Sequence, residues 1–202
     1  MSCQLIIGPM MSGKTEELTR RLVRFSLGSQ GGVVMLNNTK DTREAISGSG
    51  GVYSCHNPSH NAPKGIDMFK VETLEEFDKR SSRYQTIGID EGQFFPDLAT
   101  YVRKWLFQGK DLVVAGLNGD FGMRPLGKIH EVLCMATHVT KLYAVCLKCN
   151  KDKGRPFAHS KADFSLLKRE HQENVKSDHV IIGGAEKFVP VCLECYREEM
   201  SL

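Results

Sequence analysis

The sequence predicts an α/β fold, a parallel sheet flanked by helices, followed by a small zinc-binding unit at the C-terminal end. Three observations predict it. The apolar run Leu5-Ile6-Ile7 leads into Gly8-Pro9-Met10-Met11-Ser12-Gly13-Lys14-Thr15 and then into a segment of helical character. Further apolar runs alternate with helical patterns up to about residue 145, the pattern of a parallel sheet with right-handed crossovers. Two C-x-x-C pairs, Cys146/Cys149 and Cys192/Cys195, bracket the rest. The expected division is therefore 1–145 for the α/β domain and 146–202 for the zinc unit.

The stretch from Gly8 to Thr15 fits G-x-x-x-x-G-K-[ST], the phosphate-binding P-loop pattern, so the larger domain is expected to be P-loop NTPase-like. Gly8 and Gly13 let the backbone turn and aim successive N–H groups at one point. The following helix adds the positive end of its dipole. Lys14 reaches the β- and γ-phosphates, and the Thr15 hydroxyl is a ligand for Mg²⁺. A Gly-rich turn can match by chance, but here strand and helix flank it in the required order. ATP with Mg²⁺ is the implied co-substrate.

A net charge of +3 is too mild to mark a nucleic-acid surface. No apolar run reaches the roughly 18 residues of a membrane helix, and Met1-Ser2-Cys3-Gln4 does not open a signal peptide. Seven cysteines, an odd count without a secretion signal, argue against a disulfide framework. The expectation is a reducing, cytoplasmic setting with neither membrane nor nucleic acid as partner.

In chain order, residues 4–7 form the first strand. The helix from about Gly13 to Leu27 carries Leu18, Leu22 and Phe25 on one face, with Arg20, Arg21 and Arg24 on a solvated or interface face. Val33-Val34-Met35-Leu36 is a second, buried strand. Asp41, Thr42 and Arg43 lie just past its end, where open parallel sheets bind ligands. Arg43 reads equally as a phosphate contact or as part of an exposed polar loop. Residues 44–65, rich in Gly, Ser, Asn and Pro, read as a loop despite Cys55, His56 and His60. Thr73-Leu74-Glu75-Glu76 has capping-box form and opens a helix to about Ser82.

The strand Thr86-Ile87-Gly88-Ile89 runs into Asp90-Glu91. A buried strand ending in Asp is the Walker B arrangement, whose carboxylate holds Mg²⁺. Glu91 is placed to deprotonate a nucleophile near the γ-phosphate; the plainer alternative is an acidic helix cap. A helix follows to about Phe107, and then the strand Leu112–Leu117. Phe121 reads as core packing or as a stacking surface for a base. A helical stretch near 126–136 and a strand around Lys141–Val145 complete the sheet.

Four thiolates from Cys146, Cys149, Cys192 and Cys195 suit one tetrahedral Zn²⁺ with no open position, so the zinc is structural. It pins the ends of a long loop that is otherwise costly to order. Within that loop, residues 150–176 are polar and charged. His179-Val180-Ile181-Ile182-Gly183 reads evenly as a backbone surface for a flat ligand or as a hairpin strand packed on the zinc unit.

Taken together, Gly8–Thr15, Lys40–Arg43, Asp90-Glu91-Gly92-Gln93-Phe94-Phe95-Pro96-Asp97, Leu117–Phe121, both C-x-x-C pairs and Ile182–Phe188 resemble the thymidine kinase family with a zinc-tethered lasso loop, in order along nearly the whole chain. The resemblance implies transfer of the γ-phosphoryl group of ATP to the 5′-hydroxyl of thymidine, with deoxyuridine as a further acceptor, in deoxynucleotide salvage for DNA synthesis. It makes Glu91 the general base and gives Mg²⁺ to Asp90 and Thr15. It places Asp41, Thr42, Arg43 and Gln93 by the nucleotide. Met10, Phe94, Leu117 and Phe121 would line the nucleoside pocket, the backbone of 179–183 would read the base edge, and Phe188 would close the site. It also implies a homotetramer. The chain departs from the family pattern at Phe188, where Tyr is common, at Leu126, where some members have Phe, at Asn118 and Asp120, and in a longer 150–176 stretch. These departures bear on the breadth of nucleoside choice and leave the phosphoryl-transfer residues intact. A nucleic-acid-dependent ATPase is the rival reading of Asp90-Glu91-Gly92-Gln93, but the chain is too short for two motor domains and lacks a basic stripe.

Overall fold

Six parallel strands form the central sheet of the computed structural model, in the order β3-β2-β4-β5-β1-β6. They are β1 (Ser2–Gly8), β2 (Gly32–Asn38), β3 (Ile66–Val71), β4 (Tyr84–Ile89), β5 (Asp111–Leu117) and β6 (His138–Lys141). The structure describes residues 1–28, 31–41, 65–152, 160–171 and 183–200, without the side chains of 150–152. Of the expected 44–65 loop only Gly65 is described; residues 153–159 and 172–176 of the 150–176 stretch, and 179–182, also lie outside the described residues.

The inner strands read as continuous apolar runs because both faces of the sheet are covered. On β1 Leu5 joins one core cluster and Ile6 the other; on β2 Val34 and Leu36 oppose Val33 and Met35; on β5 Leu112 and Val114 oppose Val113 and Ala115. Helix α1 (Lys14–Gly28) covers the second face through Leu18 and Leu22. Helices α2 (Leu74–Asp78), α3 (Leu98–Phe107) and α4 (Ile129–Leu133) cover the first, with Phe77, Trp105 and Val132 wholly buried. Helix α1 lies close against the sheet at β4: a Cβ on Gly88 would come within 2.4 Å of Leu22 Cδ1.

The arginines of α1 are not all on a solvated face. Arg21 donates from Nη1 to Gln4 Oε1 at 2.9 Å, from Nη2 to Thr140 Oγ1 at 2.8 Å and from Nε to Glu17 Oε1 at 2.8 Å. One guanidinium thus ties α1 to the inner strand β1 and the edge strand β6.

Four expectations need correction. The helix after Thr73 stops at Asp78, and a 3₁₀ turn spans Ser81–Arg83. Thr73 makes no side-chain cap; the Asp97 carboxylate, from the start of α3, accepts from the Leu74 and Glu75 N–H groups at 3.2 and 3.0 Å. Glu76 still reaches back, accepting from the Glu72 N–H at 3.2 Å, one residue earlier than a capping box requires. The second concerns residues 141–145. The sheet strand is His138–Lys141, while β7 (Ala144–Val145) leaves the sheet to pair antiparallel with β8 (Lys161–Ala162). The third is β3, which the expected order lacked. Its apolar pattern is broken by Asp67 and Lys70, which accept from the Tyr84 hydroxyl at 2.6 Å and donate to the Asp41 carbonyl at 2.6 Å respectively. The helical stretch near 126–136 is shorter than expected, at five residues.

Beyond the sheet, β9 (Phe164–Leu167) and β10 (Phe188–Val191) pair antiparallel, with α5 (Leu147–Asp152) and α6 (Leu193–Met200) beside them. Their shared cluster gathers Ala144, Ala162, Leu166, Val191 and Tyr196 around the cysteines.

Two outcomes follow from these contacts. Asp97→Ala is expected to lower stability in urea by about 1 kcal/mol, the scale of a lost helix cap, with Thr73→Ala nearly neutral; equal effects would place the cap at Thr73. The Arg20 hydrogen bonds, against the opposing effect of burial, and then those of Arg21 hold the Glu17 carboxyl down at about 2. A lowered folded pKa gives stability that is present above the unfolded value near about 4.3 and lost as pH falls towards 2. Glu17→Gln is therefore expected to be less stable than the parent at pH 7, the two converging as pH falls through that window.

Candidate active site

The carboxyl ends of β1, β2, β4 and β5 bring together residues that are far apart in the chain, as parallel sheets with crossovers do. From β1 the chain turns at Gly8 into the 8–15 loop, with Met11 at φ 61° and Gly13 at φ 78°. A Cβ on Gly8 would lie 2.6 Å from Ser12 Oγ and 2.7 Å from the Leu142 carbonyl oxygen, so the loop closes only around a bare backbone there. The Lys14 amino group is buried and donates to the Pro9 carbonyl at 2.8 Å, which holds the ammonium over the loop. Ser12 Oγ is buried with no hydrogen-bond partner among the described residues. An orphaned polar atom in such a loop suits an anionic ligand.

Thr15 donates from its hydroxyl to Asp90 Oδ2 at 2.9 Å. The other Asp90 oxygen accepts from the Glu91 N–H at 3.0 Å, and the Asp90 N–H donates to the Leu36 carbonyl at 2.9 Å. A carboxylate and a hydroxyl in contact at a loop of this kind form an oxygen donor set that suits a hard cation such as Mg²⁺. Glu91 then takes a left-handed conformation, φ 48° and ψ 45°, before a 3₁₀ turn at Gly92–Phe94. A non-glycine residue held there stores about 1–3 kcal/mol of strain, as residues at functional sites often do. The turn re-aims the chain at the strand end, and both carboxylates are buried. Gln93 donates from Nε2 to Glu91 Oε2 at 2.5 Å. Asp41 is also buried, its Oδ2 accepting from Asn37 Nδ2 at 3.2 Å. Thr42 and Arg43 lie outside the described residues.

An apolar cluster stands beside this polar edge. Met10, Leu167 and Phe188 form one buried cluster, with Leu117 and Phe121 packed against it. Leu167 and Phe188 are directly opposite partners of the β9–β10 ladder, so their side chains share a face. Met10, Leu117, Phe121 and Phe188 were expected here from the sequence; Leu167 was not, and its only signal is the short apolar run after Asp163. Phe94 is half-buried on the 3₁₀ turn, and Phe95 beside it belongs to the main core. Gly183 leads into a turn in which the Lys187 and Phe188 N–H groups donate to the Gly184 carbonyl at 3.1 and 3.0 Å. His179, Val180, Ile181 and Ile182 lie outside the described residues.

Hydrogen bonds stitch the C-terminal strands to the sheet edge. The Met10 N–H donates to Ser165 Oγ at 3.0 Å, Asn118 Nδ2 to the Asp163 carbonyl at 3.1 Å, and the Tyr196 hydroxyl to the Phe121 carbonyl at 2.7 Å. Burial, with a lesser contribution from Asp120, raises the Tyr196 pKa, so the hydroxyl stays a donor.

Behind these strands, the sulfur atoms of Cys146, Cys149, Cys192 and Cys195 all lie within 4.8 Å of one another. Cys149 Sγ is 3.6 Å from Cys192 Sγ and 3.5 Å from Cys195 Sγ. That spacing and donor set fit one tetrahedral metal ion with no open position. Burial, then hydrogen bonds with neighbouring thiols, pushes the Cys195 thiol up. Replacing Cys192 by Ser is expected to lower bound metal well below one equivalent per chain, read by elemental analysis; full retention would contradict four-thiolate coordination.

A glycine-bearing loop after β1, an acidic pair joined to it through Thr15, and an apolar cluster alongside suit a phosphotransferase. The family model described as thymidine kinase matches residues 1–196. The chain is 37% identical to the thymidine kinase of Myxoma virus (strain Uriarra) over 95% of its own length and 94% of the relative's. It is 33% identical to thymidine kinase 1 of Dictyostelium discoideum, covering 98% of this chain and 78% of that one, and 32% identical to the cytosolic thymidine kinase of Cricetulus griseus, covering 98% and 74%. The chain belongs to the thymidine kinase family. Among the described residues no helix is long and apolar enough to cross a membrane.

Proposed function

We propose that this protein is an ATP-dependent thymidine kinase, forming thymidine 5′-monophosphate and accepting deoxyuridine as well. The observation that carries the reading is the juxtaposition, in a chain of this family, of the Lys14–Thr15–Asp90–Glu91 edge with the Met10–Leu117–Phe121–Phe188 pocket.

In this reading the backbone N–H groups of the 11–15 turn and the Lys14 ammonium hold the phosphates of ATP, with Asp41, Thr42 and Arg43 beside the nucleotide. Thr15 and Asp90 hold Mg²⁺, whose charge offsets that on the phosphate oxygens. The 5′-oxygen of the nucleoside forms a bond to the γ-phosphorus as the bond from that phosphorus to the β–γ bridging oxygen breaks. The hydroxyl proton goes to the Glu91 carboxylate, and ADP leaves. The protein contributes alignment and charge neutralisation, which dominate the barrier in phosphoryl transfer. Phe121 and Phe188 pack on the base, Phe94 adds to the wall, and main-chain groups of 179–183 read the base edge. A mismatched edge leaves buried polar groups unpaired. Zinc at the four cysteines tethers the 146–202 unit as a cover that excludes water, while 1–145 carries the phosphate machinery. The same reading takes the enzyme to be a cytoplasmic homotetramer that binds neither membrane nor nucleic acid.

The test is ATP consumption by the zinc-loaded protein with each common deoxynucleoside in turn, alongside Glu91→Gln. Turnover confined to thymidine and deoxyuridine is expected, with kcat falling at least ~10²-fold in the variant and ATP binding retained. Turnover only with single-stranded DNA, or none with any nucleoside, would refute the reading.

A further inference from the structure

Gln93 is 6% exposed, and both ends of its amide are engaged by the protein. Its Nε2 donates to Glu91 Oε2 at 2.5 Å, and its Oε1 accepts from the Leu117 N–H at 3.1 Å. Chemistry dictates that orientation. A backbone N–H needs an acceptor and a carboxylate needs a donor, and a side-chain amide offers both from one planar group. The chain packs closely on both the backbone and the side chain of Gln93. A Cβ on Gly127, at φ +57°, would lie 2.2 Å from the Gln93 backbone carbonyl oxygen, and a Cβ on Gly116 would lie 3.0 Å from the side-chain Oε1. Two glycines thus let the 127 turn and the end of β5 close on this residue from different sides. Leu117, the residue whose N–H is held, packs against the pocket cluster of Met10, Leu167 and Phe188.

We propose that Gln93 is a positioning residue: it fixes the Glu91 carboxylate and couples it to the wall of the acceptor pocket at Leu117. The proposal rests on the kinase reading, with Glu91 as base. It assigns Gln93 a different task from a nucleotide contact, because the amide is spent on the base and on the pocket strand. A glutamate side chain has three rotatable bonds, and its carboxylate stays aligned only while a partner holds it. A base aligned for a fraction of the time lowers kcat and leaves ground-state binding of either substrate intact. The Leu117 end makes the alignment depend on the strand that the nucleoside packs against.

Two variants separate the roles. Gln93→Glu is nearly isosteric and keeps an acceptor for the Leu117 N–H, but removes the donor to Glu91. Gln93→Leu removes both bonds. Steady-state kinetics with thymidine and ATP, with zinc content and equilibrium ATP binding as checks of folding, are expected to show kcat lowered ~10²-fold in both variants. Both KM values should stay within about twofold, as when an interaction made only in the transition state is lost. A Gln93→Glu enzyme with parental kcat, only Gln93→Leu being impaired, would reduce Gln93 to a support for Leu117 and overturn the proposal. A raised KM for ATP with kcat retained would overturn it too, in favour of a nucleotide contact. Failure of the kinase reading is distinguishable, since the parent enzyme would then show no thymidine-dependent turnover.

Discussion

The hydrogen bond from Thr15 to Asp90 joins two residues 75 positions apart, and the site's polar edge depends on it. Strand β5 lies between the strands that carry them, so the start of α1 must reach across the sheet for the two to meet. That crossing requires the helix to lie close to β4. Gly88 allows this approach, because any side chain there would strike Leu22. A bare backbone in the middle of a buried strand forgoes packing, and the gain is an 8–15 loop in register with the acidic pair. Arg21 steadies the same helix from its other side by bridging to β1 and β6.

The C-terminal strands complete the site rather than merely adjoining it. Leu167 and Phe188 come from a ladder of four residues per strand, and the companion β7–β8 ladder has two. Such a small unit buries too little apolar surface to order itself, which is the usual reason for a metal staple. The four cysteines are the donor set for one, and their sulfur atoms lie at the spacing of a tetrahedral site. The hydrogen bonds from Met10 to Ser165 and from Tyr196 to the Phe121 carbonyl then fix this unit to the loop and to the pocket. These bonds link the cysteine-bearing unit to the Met10, Phe121 and Phe188 cluster.

What could be read in the sequence was local. The strand–loop–helix from Ser2 to Gly28 carries its own glycines and lysine, and the strand ending in Asp90 carries its apolar run. The cysteine pairs declare themselves by spacing. What could not be read was set by distant partners. The α2 cap comes from Asp97, a residue that sequence order assigns to another helix. Strand β3 hides its period behind Asp67 and Lys70, whose polar groups are used by Tyr84 and Asp41. The break between β6 and β7 falls in an unbroken β-like run, and only pairing with β8 divides it. The left-handed turn at Glu91 and the bridge made by Gln93 are likewise products of packing, legible only once β5 and the 127 turn are in place.

The most direct test of the account is a crystal structure of the zinc-loaded protein with Mg²⁺, a non-hydrolysable ATP analogue and thymidine. The account predicts the γ-phosphate over the 8–15 loop at Lys14, the base between Phe121 and Phe188, and the 5′-hydroxyl within hydrogen-bond reach of Glu91. A nucleoside bound elsewhere, or a Glu91 carboxylate turned away from the 5′-hydroxyl, would contradict it.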